Sequence, residues 1–190
     1  MIQQYAARWP YLAQLANAPG LFEDAELVAL WHDLGKAAVG FQAVLQGRKD
    51  ALARSWGHYR HEILSGALVA TLPPSPRRED LVLAVLTHHL GMNKDSFGGP
   101  AVYKFAPSQD TAIPFSERLE QLNPHWGELR QILEQLRIYA SGTTETLWPA
   151  LPGDPVSLPD PFAVLEQKDN SGSTQRHRRS RRQKKGISLK

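Results

Sequence analysis

The 190-residue chain has no cysteine. Disulfides are excluded, and so is any metal site built on thiolates. The lack agrees with a reducing compartment, so the expected location is the cytoplasm. No apolar run approaches the roughly 20 residues that a bilayer-spanning helix needs, and no membrane partner is expected. The opening stretch MIQQYAARWPYLAQ lacks the basic-then-apolar order of a secretory signal, and Pro10 interrupts any amphipathic presequence. Nowhere do apolar and polar residues alternate as in a half-buried strand, and no internal repeat is visible. The one Gly-Lys pair, Gly35-Lys36, lacks the upstream glycine of a phosphate-binding P-loop.

Acid is missing from one region. Residues 171–190 hold eight of the 22 Lys and Arg and none of the 19 Asp and Glu. Residues 1–170 therefore keep 14 cations against 19 acids, a net of −5 beneath an overall charge of +3. The isoelectric point of about 9.3 belongs to the tail and not to the body. The run RHRRSRRQKK puts seven cationic side chains in ten residues with no aromatic between them. Such a segment attracts phosphates by counterion release and does not read bases. From Asn170 onward the chain is polar and basic, and it reads as disordered.

What remains is helical. Apolar residues at 27, 30, 31 and 34 predict a helix over Glu23–Leu34, with acids at 23, 24 and 26 suited to its dipole and Gly35 ending or bending it. A short helix is expected from Ala37 to Leu45, with Val39, Phe41, Ala43 and Leu45 facing partners and Gly47 closing it. HYRHEILSGALVATL predicts a helix from Tyr59 to Leu72, stopped by Pro73-Pro74. Ser75-Pro76 reads as a cap and first helical position, opening a helix through Leu81, Val82, Val85 and Leu86 to His88-His89 and Gly91. Asn123-Pro124 opens another, with a stripe of Leu129, Ile132, Leu133, Leu136 and Tyr139 ending at Ser141-Gly142. Met92 to Pro114 reads as a long connection, functional or flexible. Thr143 to Pro161 carries five prolines and no helical period. The expected fold class is all-α, divided as a helical domain over 1–142, a proline-rich extension over 143–169 and the tail over 170–190.

Seven histidines stand out, at 32, 58, 61, 88, 89, 125 and 177. His58 reads as a turn residue, His125 as exposed at a helix start, and His177 as part of the tail. The others differ: His32 and Asp33 close one predicted helix, His61 begins another, and His88 and His89 close a third. Adjacent helical residues diverge by about 100°, so two neighbours can share a target only at a helix end or distorted turn. Both doublets lie near a glycine, Gly35 and Gly91. Antiparallel packing would bring these termini together. Imidazole plus carboxylate is the ligand set of a divalent metal such as Mn, Fe, Co, Ni or Zn, with Mg also compatible. Lys36 reads either as a phosphate-facing cation or as a solvated one.

The order WHDLGKAAVGFQ, RHEILSGALVA and THHLG resembles the HD superfamily of metal-dependent phosphohydrolases. In particular it resembles the HD nuclease domain of CRISPR type I effector systems. The most specific part is HDLGK with Phe41-Gln42 six residues after the glycine, and the resemblance spans roughly residues 22–92. It implies an HD-domain helical bundle in which His32, Asp33, His61, His88 and His89 are metal ligands. Asp33 would bridge ions, and Lys36 would lie near the reacting phosphate as a catalytic residue beside Asp33. It also implies cleavage of single-stranded DNA after recruitment by an RNA-guided surveillance complex. A separate helicase subunit would do the unwinding, since no P-loop is present here.

Two parts of the family pattern are not found. No histidine precedes His32. Asp154, Asp160 and Asp169, which could stand for a late aspartate, fall outside helical patterns. Either the chain is a truncated form, or the site is incomplete, or another group substitutes. Three readings follow: a metal-dependent nuclease of antiviral defence, a nucleotide or cyclic-nucleotide phosphohydrolase, and a non-catalytic remnant or nucleic-acid-binding module.

Overall fold

The computed structural model describes residues 2–56, 60–89, 114–140 and 147–165. Of the features read above, His58, nearly all of the 92–114 connection, Asp169 and the basic tail with His177 lie outside these residues. In chain order the helices are α1 (Ile2–Arg8), α2 (Leu12–Leu15), α3 (Leu21–Trp31), α4 (Val39–Leu45), α5 (Ala51–Trp56), α6 (His61–Val69), α7 (Pro76–Thr87), α8 (Phe115–Glu120) and α9 (Trp126–Ala140). A further helical turn covers residues 161–165. No strand occurs among the described residues, so the fold is all-α. None of the helices is long and apolar enough to cross a membrane.

The centre of the bundle is α6, whose residues from His61 to Val69 are all buried. Its polar residues, His61, Glu62 and Ser65, are confined to the first two turns. The other residues, among them Leu64, Ala67, Leu68 and Val69, pack in the core with Leu27 and Trp31 of α3 and with Leu81, Val82, Val85 and Leu86 of α7.

Helix α7 starts where Ser75-Pro76 places it. Ser75 is extended, its Oγ accepts from the Arg78 amide at 3.1 Å, and Pro76 takes the first helical position. The short link from Ala70 to Ser75 makes α6 and α7 antiparallel. Arg77 in the first turn of α7 bonds Asp24 in the first turn of α3, while the His32 and His88 rings meet at the other ends, 4.8 Å between centroids. So α3 and α7 run the same way and α6 runs against both. The C-terminal ends of two helices and the N-terminal end of the third share one end of the bundle.

Several expected boundaries move. Helix α3 ends at Trp31, not Leu34, because the chain leaves the helix at His32–Asp33 and forms a 3-10 turn over Leu34–Ala37. Within α4, Leu45 is 65% exposed and not packed. Gly47, at φ +70°, closes that helix with a left-handed residue, as glycine does most easily. Helix α7 ends at Thr87, leaving His88 and His89 on the following turn. In α9, Leu129 and Leu133 are buried but Ile132 is 48% exposed, so the apolar stripe is narrower than its sequence suggests.

The described part of the proline-rich segment, 147–165, folds onto the same core, with a 3-10 turn at Pro155–Ser157 and the helical turn at 161–165. Trp148 meets Trp31 edge to face at 5.4 Å, Gly153 O accepts from the Trp126 indole at 3.1 Å, and Leu158 and Val164 are buried.

Candidate metal centre

Asp33 leaves α3 with φ −104° and ψ 1°, the sparsely populated bridge region in which many active-site residues sit. The turn that carries it is held from two sides. The Gly35 amide donates to the buried Ser65 Oγ at 2.8 Å, and the Gln42 amide nitrogen donates to Lys36 O at 2.7 Å. Gly35 is more than a helix stop: a Cβ there would lie 2.1 Å from His61 O and 2.9 Å from the Leu64 Cβ. Only glycine lets this turn touch the start of α6, and that contact sets Asp33 against His61.

The two carboxylate oxygens of Asp33 face different neighbours. Oδ1 lies 3.2 Å from His61 Nε2 and 3.9 Å from His88 Nε2. Oδ2 lies 2.8 Å from Lys36 Nζ and 3.3 Å from His32 Nε2. His89, exposed on the turn after α7, completes the first group, its ring 5.1 Å from that of His61 and 4.1 Å from that of His88. One ligand atom from each of Asp33, His61, His88 and His89 lies within 4.8 Å of the others. Donors on opposite sides of an ion at about 2.1 Å would stand about 4.2 Å apart, so the cluster needs only a small contraction. His32 stands beside this group, on the Oδ2 side with Lys36.

Whether these residues fit a cation can be read from their hydrogen bonding. Asp33 Oδ1, His61 Nε2 and His88 Nε2 are buried and have no hydrogen-bond partner. Buried polar atoms are seldom left so, and these three face one another. His88 Nδ1 lies 2.7 Å from Val85 O, and His32 Nδ1 lies 2.9 Å from Ala29 O. A carbonyl only accepts, so each Nδ1 carries a proton, and in the neutral ring Nε2 is then the lone-pair atom. Orphaned lone pairs converging on a carboxylate suit a divalent cation. Their donor set is the nitrogen-and-oxygen set of first-row metals.

Charge in the site follows from the same contacts. Partial burial would raise the Asp33 pKa, but the Lys36 hydrogen bond and the nearby His32, Lys36 and His61 outweigh it and hold the carboxyl below its ordinary range. Burial pushes the His61 pKa down against the pull of the Glu62 carboxylate. Burial likewise pushes His88 down, against its bond to Val85 O. Both imidazoles are thus kept neutral, the form that ligates a metal. A stability prediction follows for the chelator-treated chain. Below the ordinary histidine value of 6.5, the unfolded chain takes up protons at these positions that the folded chain resists, so stability falls with pH. The thermal midpoint should hold above about pH 7 and drop steadily from pH 6.5 to 5; a midpoint that rises over that interval would contradict neutral, buried imidazoles.

Asp154 and Asp160 are not in the cluster. Asp154 Oδ1 caps the Val156 amide at 2.8 Å, and Asp160 Oδ1 caps the Phe162 amide at 2.9 Å. His125, expected to be exposed, is half-buried, with Nδ1 3.3 Å from the Glu128 carboxylate. Sequence reasoning assigns no role to Glu62, Ser65 or Gln42. Glu62 follows His61 directly, and its acidity in an otherwise buried helix was the available signal.

An all-α bundle with a histidine–aspartate cluster at one end defines an HD-type metal-dependent hydrolase domain. The chain matches the family described as Cas3, HD domain, over residues 13–166, and it belongs to that family. The match extends well beyond the 22–92 region that carries the recognisable motifs and takes in α9 and the proline-rich segment. No curated protein and no solved structure matches the chain.

Proposed function

We propose that this domain cuts single-stranded DNA in CRISPR defence, using a divalent transition metal held by Asp33 Oδ1, His61, His88 and His89. The observation that carries the metal assignment is the convergence of three buried, unpartnered donor atoms on one point. When bound, such an ion supplies an acidified water and polarises a phosphoryl oxygen. The residues of the chain do the rest. Asp33 fixes the position of the centre between the three helix ends. Lys36, held at Oδ2, offers a fixed ammonium to the negative charge that grows on the phosphate in the transition state. His32 lines the same side and is the further ligand on offer there. The Lys36 ammonium already occupies that oxygen, so the reading favours one tightly held ion over two.

The Asp33 side chain is 42% exposed and His89 is exposed, so the centre opens on the surface, which suits a polymer better than a small nucleotide. By family, the strand would be presented by an RNA-guided surveillance complex and unwound by a separate helicase subunit, in the cytoplasm, with the basic run at 176–185 adding salt-sensitive attraction to DNA.

The test is a substrate panel with the full chain, stripped of metal and supplied in turn with Mn, Fe, Co, Ni, Zn or Mg. Single-stranded DNA should be cut with at least one transition metal and duplex DNA spared. Hydrolysis of nucleotides or cyclic nucleotides with single strands left intact would overturn the proposal in favour of a small-molecule phosphohydrolase. Metal binding with no hydrolysis of any substrate would overturn it in favour of a remnant.

A further inference from the structure

The histidines of the centre solve one problem in two ways. Each must carry its proton on Nδ1 to leave Nε2 unprotonated. His32 and His88 follow helix C-termini, where the backbone offers unsatisfied carbonyls three residues back, and both use one. His61 is the first residue of α6. A helix N-terminus offers amides and no carbonyls, so the backbone device is closed to it.

At that place the chain buries a charge. Glu62 is 5% exposed, the acid among the buried polar residues. Its Oε2 lies 3.5 Å from His61 Nδ1, and its Oε1 accepts from Arg60 at 3.0 Å. A carboxylate is costly to bury and needs each oxygen partnered. Arg60 and the Glu62 backbone amide donate to this carboxylate, and the His61 ring faces Oε2. The geometry points to Glu62 as the positioning residue of His61: its carboxylate takes the Nδ1 proton's hydrogen bond, fixes the ring, and keeps Nε2 directed at Asp33 Oδ1. This rests on the metal-centre reading above, though the tautomer itself does not need a metal.

Glu62→Gln discriminates. Arg60 only donates, so it keeps the amide oxygen of the new side chain on its side, and the amide NH2 then faces His61. An NH2 group cannot accept from Nδ1–H, so the His61 proton is driven to Nε2, the atom the centre needs bare. Ring-nitrogen NMR of the chelator-treated full chain should show His61 protonated on Nδ1 in the parent and on Nε2 in the variant, with His88 unchanged in both. Titration with Co2+ should show the variant binding about 10–100-fold more weakly, the cost typical of losing such a partner. Glu62→Ala should give a mixture of tautomers and a smaller loss. A parent His61 protonated on Nε2, or Glu62→Gln binding Co2+ as tightly as the parent, would overturn the proposal. If the parent itself binds no Co2+ while the tautomers behave as described, the metal-centre reading fails and the Glu62 role stands.

Discussion

Asp33→Asn should reduce metal-dependent cleavage of single-stranded DNA by more than about 100-fold, since changes one layer further from a metal already cost up to that much. Asp33 faces four of the site residues. One oxygen faces His61 and His88, and the other faces Lys36 and His32. Asparagine keeps the shape but removes the charge that neutralises a cation and anchors Lys36. It also puts an NH2 donor where an acceptor is required. The fold should survive, because Asp33 sits on a turn with a side chain 42% exposed, and helicity measured by circular dichroism should be unchanged. Cleavage at the parental rate would remove Asp33 from the chemistry.

The second large effect belongs to Gly35→Ala, a single added methyl group. The new carbon would fall 2.1 Å from His61 O, inside any permissible contact, and the obstacle is backbone that cannot swing aside. Overpacking of this kind costs about 1–3 kcal/mol or more. The displaced turn also loses the amide bond to Ser65 Oγ, leaving a buried polar pair unmet. In a domain of this size each kcal/mol is about 2–4 °C in thermal midpoint, so a fall of roughly 5 °C or more is expected. The more telling result is that Asp33 and His61 must separate, so metal affinity should fall although no ligand has been altered. A variant as stable as the parent with parental affinity would show that the turn does not depend on this contact.

Much of the arrangement was legible because it rests on local chemistry. Ser75-Pro76 carries its own capping geometry, and α7 begins there. The two doublets could meet a common target only from helix ends, and the chain does leave the helix at His32 and at His88. Other features depended on distant partners. Gly35 reads as a stop in one dimension, while its real constraint is the carbonyl of His61, 26 positions away. Glu62 reads as an ordinary acid in a first turn until α6 is seen to be buried on every side. The short helices α1, α2, α5 and α8 carry too few turns for a period to show. Asp50, whose Oδ1 accepts from the Ala53 amide at 3.0 Å, was a usable cap signal for α5.

The missing family positions bear on the number of ions more than on whether one is held. Among the described residues nothing takes the place of an earlier histidine, and Asp154 and Asp160 serve their own turns. The four donors that remain are enough to hold one cation, and an ion of five or six ligands held by them would keep positions for water and substrate.

The most direct measurement is the metal content of the full chain after loading with Co2+ and exhaustive dialysis, beside Asp33→Asn treated alike. About one ion per chain in the parent and almost none in the variant is the predicted result. An empty parent, or a variant that retains as much cobalt as the parent, would mean that Asp33, His61, His88 and His89 do not hold a cation together.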